Sequence, residues 1–208
     1  MDVFDLTHIL TGSMTVYPGK EQPSFHDIAI LEKDGYSEKH LNLDSHVGTH
    51  IDAPAHMVPG GKTLDEFPVS FFAGSAVIIK IPPGTRLIGK EFLMGFQRKI
   101  EVSDFVLFNT GWHRRWNTPE FCLDYPVMDA DSAGWICSFP LKGIGVDTIS
   151  VDPAGSVHWP VHIQILSRGM VIIENLIFNE GIPDEGEFFC FPLKIEMADG
   201  SPVRAVFR

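Results

Sequence analysis

The sequence predicts a mixed α/β fold with many strands and few, short helices. Three observations carry this. Apolar runs of strand length recur at residues 76–81, 104–109 and 170–173, each bounded by turn residues. Helical signatures are short and confined to residues 90–95, 129–138 and 161–168. Turn clusters at Gly12-Ser13, Pro18-Gly19, Asp34-Gly35, Pro59-Gly60-Gly61 and Pro82-Pro83-Gly84 punctuate the chain. At 208 residues the chain is most simply one domain, 1–208, with no repeat, low-complexity tract or linker to divide it.

Taken in order, residues 5–9 read as a short first strand. A loop follows, marked by Gly12-Ser13 and Pro18-Gly19. Tyr17 precedes that Pro-Gly, as a pocket wall or as packing against the domain. Residues 25–31 suit a strand and Asp34-Gly35 a turn. Residues 37–52 read as one long strand, with Leu41 and Leu43 toward the core and Ala53-Pro54 as its stop. Pro59-Gly60-Gly61 is a turn cluster, and Thr63 caps a short helical turn through Glu66. Phe71 and Phe72 lead into the buried strand 76–81, which Pro82-Pro83-Gly84 ends. A short helix follows at 90–95, then the strand 104–109. Thr110-Gly111-Trp112-His113 lies at its C-terminal end, where ligand loops sit in α/β sheets. Arg114, Arg115 and Trp116 read first as a solvated loop and second as substrate contacts. The helix 129–138 has Asp129 or Asp131 as its cap. A strand at 143–147 leads to the loop 150–153. Pro160 at N1 then opens the helix 161–168, with Gly169 as C′. The strand 170–173 ends at Glu174-Asn175. At the C-terminus, Leu193, Ile195 and Met197 alternate with Lys194 and Glu196. Asp199-Gly200 makes the turn and 203–207 returns, which predicts a hairpin.

Composition narrows the function. A hydrophobic share of 44% and a charged share of 21% are ordinary for a soluble globular chain. The formal net charge of -11 argues against nucleic acid or an anionic membrane as a partner. Met1 to Asp5 carries no basic or apolar leader pattern, and no run is long enough to cross a bilayer. Cys122, Cys137 and Cys190 are odd in number and scattered, which suits free thiols in a reducing cytoplasm.

The chemistry concentrates in residues 46–56, where three histidines and one aspartate follow the pattern His-x3-His-x-Asp-x3-His. Imidazole with carboxylate suits zinc, manganese or iron. The strand period of 2 puts His46, His50 and Asp52 on one face. A straight strand would hold the Cα atoms of His46 and His50 about 13 Å apart, at about 3.3 Å per residue. That is too far for comfortable sharing of one ion, so a bend is expected at Gly48. Downstream, His162 falls in the first turn of the Pro160 helix and Glu174 at the end of the next strand, where the returning chain could bring them together.

On these residues the chain resembles the cyclase-like family of metal-dependent hydrolases, which includes bacterial kynurenine formamidases and isatin hydrolases. Residues 46–56 match its signature His-x-Gly-Thr-His-x-Asp-x-Pro-x-His at every fixed position. The likeness extends to Asp5-Leu6-Thr7-His8, Tyr17-Pro18-Gly19, Gly145-Val146-Asp147, Val151-Asp152-Pro153, Pro160-Val161-His162, Glu174-Asn175-Leu176 and the tail from Asp199 to Val206. The resemblance implies a swivelling β/β/α fold with a central barrel-like sheet, assembled as a homodimer or homotetramer. It implies two divalent metal ions per subunit, zinc in first place and manganese as the alternative. His46, His50 and Asp52 would hold the first ion. Asp52 would bridge to a second on His162, with Glu174 reaching one or both. His56 would be the proton donor and acceptor, or else another ligand. Tyr17 stands where kynurenine formamidases carry a substrate-lining Trp, and Met57 replaces a common Phe.

The expected activity is hydrolysis of the C–N bond of a small-molecule amide. The specific expectation is an arylformamidase that turns N-formylkynurenine into kynurenine and formate. The alternative is a lactam or lactone hydrolase of the isatin hydrolase type. Outside that class stands a non-catalytic metal-binding protein, which would need no free acid–base histidine. Two cations about 3.5–4 Å apart can activate water near neutral pH, and a histidine off the metal can carry the proton the leaving nitrogen needs.

Overall fold

The computed structural model describes residues 2–208; Met1, in the stretch read for leader signals, lies outside the described residues. The strands in chain order are β1 (Phe4–Asp5), β2 (Ser24–Ala29), β3 (Glu38–Asn42), β4 (His50–Asp52), β5 (Ala73–Lys80), β6 (Leu87–Ile88), β7 (Phe105–Asn109), β8 (Val127–Met128), β9 (Gly143–Val146), β10 (Val171–Glu174), β11 (Glu185–Pro192) and β12 (Gly200–Phe207). The α-helices are α1 (Leu31–Asp34), α2 (Lys90–Met94), α3 (Gln97–Glu101), α4 (Ala130–Ile136) and α5 (Pro160–Leu166).

Eight strands join in the order β1-β12-β11-β5-β7-β9-β10-β4, and β4 also pairs with β12. That second pairing closes seven strands into a barrel, with β1 outside it on β12. The run β5-β7-β9-β10 is parallel, and helices lie in each of its crossovers, as parallel neighbours require. The other barrel pairs are antiparallel.

The apolar runs read from sequence are apolar because both faces of these strands are covered. Ala76, Ile78, Phe105, Leu107 and Ile173 join Ile51, Phe188 and Ala205 in the barrel interior. Their alternate neighbours Val77, Ile79, Val106, Phe108 and Ile172 pack against Leu93, Ala133, Ile136, Val161 and Ile165 of the helices. Each such buried Ile, Leu or Phe contributes about 1.5–3 kcal/mol. Asp129 accepts from the Ser132 N–H at 2.7 Å and caps α4, as expected. Thr63 and Glu66 form a reciprocal capping box.

Three expectations are corrected. Residues 37–52 are not one strand. β3 pairs with β2 in a separate ribbon, its five residues are all exposed, and Leu41 is 57% exposed rather than core-facing. Gly48, at φ +64°, cannot continue an extended chain, so β4 starts afresh at His50. The C-terminal hairpin exists with a different first strand. β11 pairs with β12, while Leu193, Ile195 and Met197 lie exposed in the connection and Gly200 begins the return strand. The alternation mimicked a strand, but Pro192 lacks the N–H needed to extend the ladder. The first strand covers Phe4–Asp5, with one further bridge from Thr7 to Leu176, instead of residues 5–9.

Candidate metal centre

The site is built where β4 meets β10 and the N-terminus of α5. Ile51 points into the barrel, so His50 and Asp52 point out of it, toward the helix layer. His50 lies directly across from Glu174 on β10, which places both side chains on one face. His50 Nε2 is 3.5 Å from Glu174 Oε2 and 3.3 Å from Asp52 Oδ1. The bend at Gly48 returns the chain so that His46 Nδ1 reaches 2.7 Å from the same Asp52 oxygen. The second oxygen of Asp52 faces His162 Nε2 at 3.8 Å, and that nitrogen is 3.2 Å from Glu174 Oε1.

Two donor groups therefore share Asp52: His46, His50 and Asp52, and Asp52, His162 and Glu174, each with its donor atoms within 4.8 Å of one another. Imidazole and carboxylate oxygen are the donors zinc and manganese take, and the split oxygens of Asp52 suit a bridge. Burial works against charge here, yet the Asp52 carboxylate lifts His46 to about 9. His162, likewise opposed by burial, is lifted to about 10 by its hydrogen bonds to Asp152 and Glu174. Such an anionic well, lined by buried His50, Asp52, His162 and Glu174, fits a cation.

The imidazoles are oriented from behind. His50 Nδ1–H donates to the Gly48 carbonyl at 2.9 Å, and Asn175 Nδ2 donates to the same oxygen at 2.8 Å. His162 Nδ1–H donates to Asp152 at 2.6 Å, and that carboxylate also accepts the Val161 and His162 N–H groups at the start of α5, both at 3.0 Å. Holding the far nitrogen of a ligand histidine fixes its tautomer and its aim. His46 Nε2 lies 2.8 Å from Asp199.

His56 ends the 3-10 turn Pro54–His56 that follows β4. Its ring lies 3.9 Å from that of His46, centroid to centroid, and burial presses its pKa below the usual imidazole value. It stands outside the two groups that share Asp52, although His46, His56 and Asp199 also bring donor atoms within 4.8 Å. All seven residues singled out from sequence, Tyr17, His46, His50, Asp52, His56, His162 and Glu174, line one cavity of about 240 Å³.

Several lining residues were missed. Trp159 adopts the left-handed region at φ +45°, a conformation that costs an aromatic residue about 1–3 kcal/mol and recurs at functional sites. Its ring sits 6.0 Å from Tyr17 and 5.9 Å from His162. Its neighbour His158 is exposed. Lys20 reaches the cavity through a tight turn with Pro18 and Gly19 (φ +88°) at its centre, closed by the Lys20 N–H to Tyr17 carbonyl bond at 3.0 Å. Its only sequence signal was the Pro-Gly pair. Arg115 stacks over Trp112, and Trp116 stacks on His8 at 4.0 Å, so neither reads as a substrate contact.

A carboxylate shared by two imidazole–carboxylate groups, in a cavity that His56 also lines, is the donor arrangement a metal-dependent hydrolase needs, and the comparisons place the chain in that class. The chain belongs to the cyclase family, whose model, described as "Putative cyclase", matches residues 4–153. Among its relatives is a kynurenine formamidase of Bacillus mycoides (strain KBAB4), 32% identical over 206 residues, covering 98% of this chain and 96% of that one. A solved structure from Bacillus stearothermophilus, described as a predicted metal-dependent hydrolase, is 30% identical and covers 99% and 97% of the two chains with a TM-score of 0.80. An isatin hydrolase bound to the product analogue thioisatinate shares the fold with a TM-score of 0.87 at 21% identity, over 99% of this chain and 91% of that one. Among the described residues, no helix is long and apolar enough to cross a membrane.

Proposed function

We propose that this chain is an arylformamidase that hydrolyses N-formylkynurenine, or a close aryl formamide, to the arylamine and formate. The observation that carries the reading is the position of His56, beside the shared-carboxylate donor set but outside it, in a cavity with aromatic walls. Two divalent ions, zinc in first place, would be held by His46, His50 and Asp52 and by Asp52, His162 and Glu174. When bound, they supply Lewis acidity and bring the ionisation of water toward neutral pH. Tyr17 and Trp159 would flank the aryl ring. Lys20 makes no ion pair among the described residues and would offer its ammonium to the substrate carboxylate. His56 would accept a proton from the attacking water and return it to the leaving nitrogen as the C–N bond breaks. The free thiols of Cys122, Cys137 and Cys190 fit a cytoplasmic setting, and the assembly is proposed to be a homodimer or homotetramer.

The test is formate release from N-formylkynurenine by zinc-loaded protein, with isatin assayed alongside. Release that a chelator abolishes supports the reading; none from N-formylkynurenine sinks the substrate assignment. His56→Ala should slow turnover by about 10²–10⁴-fold and keep its metal. Loss of metal instead would make His56 a ligand.

A further inference from the structure

Asp199 is where the first donor group and the uncommitted histidine meet. It stands one residue before β12, and its carbonyl accepts the Ala53 N–H at 2.8 Å, which ties it to the end of β4. The next residue, Gly200, lies opposite Asp52 across the β4–β12 pair. A Cβ on Gly200 would come within 2.5 Å of His46 Cε1, so the backbone packs directly against that ring. Asp199 Oδ2 is 2.8 Å from His46 Nε2 and 3.5 Å from His56 Nδ1. One carboxylate oxygen thus faces both rings.

Both ring nitrogens of His46 face carboxylates, Nδ1 toward Asp52 at 2.7 Å and Nε2 toward Asp199 at 2.8 Å. With a cation in place of the proton on Nδ1, Nε2–H would be the group left for Asp199. The other two imidazoles of the donor set use different acceptors, the Gly48 carbonyl for His50 and Asp152 for His162. Of these three acceptors, Asp199 is the one that also faces His56.

We infer that Asp199 is a positioning residue that sets the tautomers of His46 and His56 together. It accepts Nε2–H from His46, which leaves the Nδ1 lone pair for a cation. Its charge, 3.5 Å from His56 Nδ1, favours the proton on that nitrogen, which leaves Nε2 to exchange the proton with the reacting groups. The inference rests on the reading of His46 as a ligand and His56 as the acid–base group. The longer His56 contact makes the hold on that ring the weaker of the two.

The experiment compares wild type, Asp199→Ala, Asp199→Asn and Asp199→Glu. The side chain is 46% exposed, so its truncation leaves no buried cavity. Zinc affinity is read by chelator competition, the His56 tautomer by ¹⁵N ring shifts of the zinc-loaded protein, and kcat and KM on an aryl formamide. In wild type His56 should be the Nδ1–H tautomer. In Asp199→Ala zinc affinity should fall about 10- to 100-fold, and the His56 signal should move toward a mixture of tautomers. At saturating zinc, kcat should fall about 10-fold or more while KM changes little, and Asp199→Glu should recover part of the loss. Unchanged zinc affinity in Asp199→Ala, or an unchanged His56 tautomer, overturns the inference. If wild type cleaves no formamide, the proposed activity fails, while zinc affinity and ring shifts still decide the role of Asp199.

Discussion

Gly48→Ala is the sharpest test of how the first donor group is built. Gly48 sits at φ +64°, in the left-handed region, and its carbonyl accepts from His50 Nδ1 and Asn175 Nδ2. A residue with a Cβ pays about 1–2 kcal/mol in that region. The added methyl would lie 2.3 Å from Leu10 Cδ2. Leu10 is only half-buried and can swing aside, so the backbone term sets the cost. For a chain of this size, about 1–2 kcal/mol lowers Tm by about 2–8 °C. Any relaxation of the backbone turns the Gly48 carbonyl away from His50, so zinc affinity should fall as well, by up to about 100-fold. The assays are thermal unfolding of the chelator-treated chain and zinc competition. An unmoved Tm together with unchanged zinc affinity would refute the argument that the bend at Gly48 makes the site.

Lys20→Met should weaken turnover of a carboxylate-bearing formamide relative to neutral formanilide. The ratio of their kcat/KM values should drop about two- to fivefold, the worth of one exposed ion pair; an unchanged ratio removes Lys20 from recognition. His8 gives a pH prediction. Burial, and after it the neighbouring His113, lowers its pKa to about 3 in the folded chain, and its Nε2 has no hydrogen-bond partner among the described residues. The unfolded chain, near 6.5, therefore binds the extra proton between those values, so His8 stabilises the fold least as pH drops below 6.5. Between pH 7 and pH 5 this removes at most about 2 kcal/mol. In urea unfolding, His8→Phe should lose less stability than wild type over that interval; an equal loss would show that His8 is protonated in the native state.

The mixed α/β class, the run 46–56 and the bend at Gly48 were legible in the sequence as local properties: an apolar period, a donor pattern and a missing side chain. His162 and Glu174 were joined to that run through the family resemblance, because their spacing alone says little. Errors arose where a local pattern had no tertiary support. The alternation of Leu193, Ile195 and Met197 is as strand-like as that of β11, but no neighbouring strand accepts it. The pattern through 37–52 runs across a bend that separates two sheets.

Asp199 was read only as a turn residue, and Asp152, Trp159 and Lys20 had no role in the site assigned, because their signal lies in distance rather than spacing. Asp199 is 153 residues from His46 along the chain and 2.8 Å away in space. Amino-acid chemistry along the chain thus determined which side chains can hold a cation and what secondary structure carries them. Closure of the barrel through β4, which pairs with both β10 and β12, decided which of them meet. The physical reason is that donor identity is a property of single residues, whereas a shared carboxylate and a fixed tautomer require groups from distant strands to arrive within hydrogen-bond range.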